Sequence, residues 1–293
     1  MKTTTLLGVT RNKKFSPNHV GNDGAIFSLV IQELEKMGYS VQLWDEDTFL
    51  AATEIPHQYI FTMARQKRVV KKLQQLENEG KIVVNSGFGI ENCFRTNMTK
   101  NLLENGIPYP KSYIVPTDYD GNDVFENLPG KGFWVKRGDF HAIHKEDVSF
   151  AATAEEAKEM LQEYALREIP DAVISEHLRG DLVKFYAVRN TDFFFWFYPY
   201  ANNHHKYAEY EHINGQSVYY PFDEKALQQA ANASAEVLNI HIYGGDAIID
   251  KHGNFHLIDV NDWPSFAPCR QEASVYIAQA IAEQFELQPV AVS

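Results

Sequence analysis

Near the end of the chain two strand-forming runs, Gly245-Asp246-Ala247-Ile248-Ile249-Asp250 and Phe255-His256-Leu257-Ile258-Asp259-Val260-Asn261, flank Lys251-His252-Gly253. A tight turn at that tripeptide would make them a hairpin. Side chains two apart on a strand share a face, so Asp259 and Asn261 point the same way and the hairpin brings Asp246 within reach of them. Two carboxylates and an amide oxygen form an oxygen-rich set of the kind Mg2+ prefers, with nucleotide phosphates and waters able to complete its octahedron. Acids around a turn are also ordinary surface residues, so this set gains meaning only with support from the rest of the chain.

Support comes from cations and a linker. Lys136 closes the apolar run Phe133-Trp134-Val135, and a cation at a strand end can hold phosphate oxygens as a point charge. Glu176, His177 and Leu178 lie between two strand-like runs, where an irregular linker can offer main-chain N–H and C=O groups to an adenine edge. Lys184 sits in the second of those runs, and Arg95 lies in a helical stretch ahead of Gly106-Ile107-Pro108. Arg11, Lys13 and Lys14 follow the first strand and Arg65 follows a later one; ends of parallel strands face a ligand crevice, which suits a small anionic molecule. Arg270 is a further candidate for a substrate carboxylate, and His141 sits in the polar loop after Lys136.

These residues need elements to position them. Residues 5–9 read as a strand, 10–23 as a polar loop, and Ile26, Leu29, Val30, Leu34 and Met37 as one face of a helix stopped by Gly38. Strands at 39–44, 59–63 and 82–85 with a charged amphipathic helix at 66–80 complete a βαβ pattern, so a parallel sheet covered by helices is expected. The rhythm changes at Ser86. A helix over 89–104 closes at Asn105-Gly106, and the two prolines that follow force an extended exit. Strands are expected at 132–136, 172–176, 182–188, 193–198, 245–250 and 254–259, with helices at 153–167, 224–238 and 271–284 and a polar loop at 201–215.

The 293 residues suggest about two domains. Residues 1–75 carry ten basic and seven acidic side chains, whereas residues 207–293 carry three and twelve, within a net charge of −12. That balance argues against nucleic acid or an anionic membrane as a partner. Two cysteines, no long apolar run and an N-terminus without signal-peptide character point to a cytoplasmic setting. His204-His205 has no partners at zinc spacing, and Phe193-Phe194-Phe195-Trp196 reads as a buried strand.

In order and separation the motifs resemble the ATP-grasp superfamily from about residue 84 to 282. The carrying residues are Arg95 before Gly106–Pro110, Lys136, the linker at Glu176, Gly180 to Lys184, and Asp246 with Asp259, Asn261 and Pro264. The resemblance implies an α/β fold, α+β in its ATP-grasp part, with an N-terminal parallel βαβ domain followed by a two-subdomain ATP-grasp fold. The expected divisions are 1–85, 86–175 with a small lid, and 176–293. It implies ATP and Mg2+: Asp246, Asp259 and Asn261 on the metal, Arg95 and Lys136 on the triphosphate, Glu176, His177 and Leu178 around adenine and ribose. Lys184 would lie near the γ-phosphate or acceptor, with Arg270 and His141 also catalytic, and Arg11, Lys13 and Arg65 on the acceptor.

The implied activity is a carboxylate-amine or thiol ligase working through an acyl phosphate; the alternatives are a small-molecule kinase and a nucleotide-binding regulator. A homodimer is compatible with all three. Two departures stand out. Arg137-Gly138-Asp139-Phe140-His141-Ala142-Ile143-His144 replaces the usual Gly/Ser-rich flap. Asp259 stands where most ligases of the family have Glu, which is similar to the inositol trisphosphate kinase branch, although that branch's His-containing linker insert is absent.

Overall fold

A computed structural model of the chain describes residues 4–15, 20–199, 213 and 215–286. Strands β1 (Thr5–Thr10), β2 (Ser40–Asp45), β3 (Tyr59–Thr62) and β4 (Ile82–Val84) form a wholly parallel sheet in the order β2-β1-β3-β4. Parallel neighbours need crossovers, which α1 (Val20–Lys36), α2 (Glu46–Ala51) and α3 (Lys67–Asn78) supply. The helix α1 starts inside the expected loop. It ends where Gly38 takes φ +95°, and Tyr39 N donates back to Leu34 O, a reversal that favours glycine.

The helix expected over 89–104 is two helices, α4 (Gly87–Asn92) and α5 (Arg95–Glu104). Phe94 is extended, with ψ 138°, and turns its ring into the core beside Phe140, centroids 4.8 Å apart. Burying that ring at the break gives α5 a fresh N-terminus at Arg95, whose neighbour Thr96 N donates to Gly138 O at 2.9 Å.

A second, antiparallel sheet runs β5-β8-β6-β7, formed by β5 (Ser112–Pro116), β6 (Phe133–Arg137), β7 (Val148–Ala151) and β8 (Asp171–Glu176). With α6 (Asp123–Asn127) and α7 (Ala154–Leu166) it encloses its own core of Val115, Phe125, Val135, Leu161 and Tyr164. Strands β5 and β7 and helices α2 and α6 were not expected; each is six residues or fewer, too short for periodicity to register.

The third sheet, β10-β9-β11-β12, is antiparallel and is built from β9 (Asp181–Val188), β10 (Phe194–Phe197), β11 (Ile242–Ile249) and β12 (Phe255–Asp262), backed by α8 (Glu224–Leu238) and α9 (Arg270–Glu286). The aromatic run pairs with β9, but Phe194–Phe197 is half-buried rather than buried as expected, and the final hairpin is longer than expected at both open ends. The loop expected at 201–215, with His204-His205, lies almost wholly outside the described residues.

One core joins the two ends of the chain: Leu6, Ile26, Val30 and Phe61 pack with Trp263, Ile277, Ile281 and Phe285. At the same junction Asn85, fully buried, accepts from His241 N and Ile242 N at 2.9 Å each and donates to Ile242 O at 2.7 Å. No helix among the described residues is long and apolar enough to cross a membrane.

Candidate functional site

In the register of the third sheet, Asp246 on β11 is opposite both Asp259 on β12 and Lys184 on β9. Directly paired residues share a face, so all three point to the same side. Gly245 permits the close approach of β11 and β12, since a Cβ there would overlap Asp259 O. Lys184 Nζ forms an ion pair with Asp246 Oδ1. Arg95, the first residue of α5, places Nη1 2.7 Å from Asp259 Oδ1, and Asn261 Nδ2 donates to Asp259 Oδ2 at 2.9 Å. From the second sheet Lys136 reaches across and donates to Ile258 O at 3.3 Å. Six residues expected from sequence therefore meet from five elements, β9, β11, β12, α5 and β6.

The electrostatics follow from this packing. Burial raises the Asp259 carboxyl, but Arg95, the Asn261 hydrogen bond and Lys136 outweigh it and bring the group down to about 2. Burial, with the neighbouring Arg95, lowers the Lys136 ammonium to about 7 against the pull of Asp259 and Asp246. A lysine so placed gains its proton most readily when an anion arrives. Sequence reasoning missed Tyr109, in the proline-bounded turn. Its buried hydroxyl is hydrogen-bonded to Arg95 and lies 3.3 Å from Thr99 Oγ1, bracing the guanidinium.

Glu176, His177 and Leu178 lie where the chain passes from the second sheet to the third. Glu176 Oε1 accepts from Lys111 N at 2.6 Å, and His177 Nδ1 accepts from Trp134 Nε1 at 3.2 Å, with its ring 5.1 Å from that of Phe150. Those two side chains contact the second sheet and the residue leading into it, and Leu178 is half-buried.

The cations expected on the acceptor side are engaged differently from the expectation of an open anion site. Arg65 Nη2 donates to Asp262 O at 3.0 Å, with Nε 3.4 Å from Asp262 Oδ1. Arg11 pairs with Asp23 at 3.0 Å, lies 3.8 Å from Asp262 Oδ2 and donates to Trp263 O at 2.9 Å. His141 Nε2 is 3.1 Å from Asp262 Oδ1. Its imidazole is lowered to about 4, by burial and then by Arg65, against the pull of Asp262, and so is neutral near pH 7. Arg270 Nη2 donates to Asn22 Oδ1 at 2.7 Å, fastening α9 to α1, and Lys13 is exposed.

The residue at the centre of this second cluster, Asp262, was not expected. Its only sequence signal is the alternation of β12, which turns it away from Asp259 and Asn261 toward the N-terminal sheet. Among the described residues no three His, Cys, Asp or Glu side chains converge as metal ligands. The donor set at Asp246, Asp259 and Asn261 is two carboxylates and an amide, which fits a hard cation that keeps most of its positions for phosphate and water.

No family model matches the chain, and no curated protein matches its sequence. Solved structures do. D-alanine–D-alanine ligase from Bacillus anthracis, complexed with ATP, is similar at 14% identity and a TM-score of 0.67, covering 97% of this chain and 98% of that one. D-alanyl-alanine synthetase A from Vibrio cholerae O1 biovar eltor gives 13% and 0.70, covering 98% and 99%. A RimK domain ATP-grasp protein from Sphaerobacter thermophilus gives 13% and 0.66, covering 94% and 99%. At these identities the likeness is one of fold. The chain has the ATP-grasp fold, in the mixed α/β architecture expected from its motifs.

Proposed function

We propose that the chain is an ATP- and Mg2+-dependent ligase that joins a carboxylate of a small anionic substrate to an amine through an acyl phosphate. The observation that carries this reading is the meeting of Lys136, Arg95 and Lys184 with Asp246, Asp259 and Asn261 between the lid sheet and the third sheet. Three cations and a metal-type donor set in one place match a triphosphate with its counterion. The chain's similarity in fold to D-alanine–D-alanine ligases and a RimK domain protein favours acyl transfer over other uses of ATP.

Without nucleotide the site is neutralised internally, Lys184 by Asp246 and Arg95 by Asp259. On binding, Arg95 and Lys136 turn to phosphate oxygens, and the released carboxylates with Asn261 would hold Mg2+. Bound Mg2+ would supply charge neutralisation to the triphosphate. Main-chain groups at 176–178 receive the adenine edge. A substrate carboxylate oxygen attacks the γ-phosphorus and ADP leaves. The amine then attacks the acyl carbon, phosphate leaves, and the amine gives up a proton. Lys184 steadies the charge on the transferring group, and the protein's main contribution is alignment and charge. Lys13, which is exposed, and Arg270 guide the acceptor, while Arg11 and Arg65 hold the wall behind it.

The test supplies ATP, Mg2+ and pools of carboxylates and amines, with hydroxylamine as trap. Hydroxamate formation together with free phosphate is expected. Phosphate retained on a hydroxyl acceptor would instead make the chain a kinase, and nucleotide binding with no turnover would make it a regulator. Full Mg2+-dependent ATP binding and turnover in D259A and N261A would overturn the site assignment.

A further inference from the structure

The loop that leaves β6 stands where family members carry a Gly/Ser-rich flap, yet it is fastened to the rest of the molecule almost residue by residue. Gly138 O accepts from Thr96 N at 2.9 Å, and a Cβ on Gly138 would overlap Asp171 Oδ1, so the approach requires glycine. Asp139 Oδ2 meets Lys67 Nζ on α3 at 2.8 Å. Phe140, 4% exposed, inserts into the core of the N-terminal unit, its ring 4.8 Å from Phe94 and 5.5 Å from Phe15. His141 follows at once, 3.1 Å from Asp262 and edge-on to Phe94.

The other end of the loop is closed by Asp147. This fully buried carboxylate accepts from Ile143 N at 2.8 Å and His144 N at 2.9 Å and pairs with Arg137 and Arg167. Lys136 immediately precedes this strap, on a strand hydrogen-bonded on both sides within the lid sheet. Because β6 is rigid within the lid, whatever fixes the strap to the N-terminal unit fixes Lys136 over β12.

The geometry points to Phe140 and His141 as positioning residues for Lys136: their docking sets the lid against the N-terminal unit before a nucleotide arrives. The inference rests on the ATP reading above and adds to it how the phosphate site is prepared. A flap ordered by its ligand costs affinity in proportion to how seldom it is ordered beforehand. A strap held by an aromatic socket and a histidine–aspartate contact avoids that loss.

The experiment measures backbone amide exchange over residues 139–144 and ATP affinity by calorimetry in Mg2+ buffer, for the wild-type chain, F140A and H141Q. In the wild type those amides should be slow without nucleotide and change little on adding Mg-ATP. In F140A they should exchange at least about tenfold faster, the dissociation constant for ATP should rise about tenfold, and Mg-ATP should restore protection. H141Q, which leaves the Phe140 socket intact, should move both readings in the same direction by a smaller factor, and it carries the test if F140A does not fold. Wild-type amides that stay fast until ATP is added would overturn the inference. So would variants that release the strap yet bind ATP as tightly as the wild type. A wild-type chain that binds no ATP would overturn both this inference and the ATP reading.

Discussion

Asp259 and Asp262 lie on the same strand, face opposite sides of it, and have each gathered cations from distant parts of the chain. Asp259 has Arg95 and Lys136, and Asp262 has Arg65, Arg11 and the neutral His141. They differ in access: the Asp259 side chain is 23% exposed, that of Asp262 only 1%. A buried ion pair that keeps one side open can trade its partner for an incoming ion. A sealed one cannot, and breaking it strands a charge. Two similar constellations a few residues apart thus serve different ends, one exchangeable and one fixed. Burial decides which, more than residue type.

Substitutions can break this comparison. The largest effect should follow Asp262→Ala, which leaves Arg65 and Arg11 without their shared carboxylate. A loss of about 3–5 kcal/mol in urea unfolding is expected, and a variant no less stable than Asp259→Ala would show the two clusters to be equivalent. Next is Asp259→Asn, expected to lower Mg2+-dependent turnover of ATP by about 10²–10³-fold, the scale of losing one preorganised charged group, with a near-native melting curve. Third, Mg-ATP at about a hundred times its dissociation constant should stabilise the wild type by about 2.7 kcal/mol in thermal unfolding. Asp259→Asn should lose most of that shift, because only the open cluster exchanges partners.

The smallest effect concerns Lys136. Its ammonium, lowered from 10.5 to about 7 by burial and Arg95, is partly deprotonated in the empty site at neutral pH. Phosphates favour the charged form, so ATP binding near pH 8 should take up a fraction of a proton, read from calorimetry in buffers of different ionisation enthalpy. The unfolded chain holds that proton up to higher pH. This group's contribution to the stability of the empty protein therefore rises with pH between about 7 and 10.5. Proton release on binding would contradict the placement of Lys136 against phosphate.

Much of this arrangement is legible in the sequence, for definite reasons. The alternation of β12 and the turn at Lys251-His252-Gly253 are local, and they suffice to bring Asp246, Asp259 and Asn261 to one face. The parallel order of the first sheet follows from strands separated by helices long enough to cross over. What was not legible depends on distant partners. Asp262 becomes a hub through Arg11 and Arg65, which lie some 200 residues or more before it, and nothing local distinguishes it from a surface acid. The break at Phe94 is likewise set by Phe140, because helix periodicity runs through the break unaltered. Arg11 and Arg65 illustrate the converse: their position at strand ends was readable, but not that an acid from the last strand already neutralises them.

The helix α9 lies against α1, and Ile277, Ile281 and Phe285 share a core with Leu6, Ile26 and Phe61. During synthesis, therefore, the first sheet leaves the ribosome with one face covered only in part, by α1, and waits for some 200 further residues before the rest of its packing partners exist. Such separation slows folding and leaves apolar surface exposed in the nascent chain. An early part of the fold, in order of manufacture, is finished by a much later one.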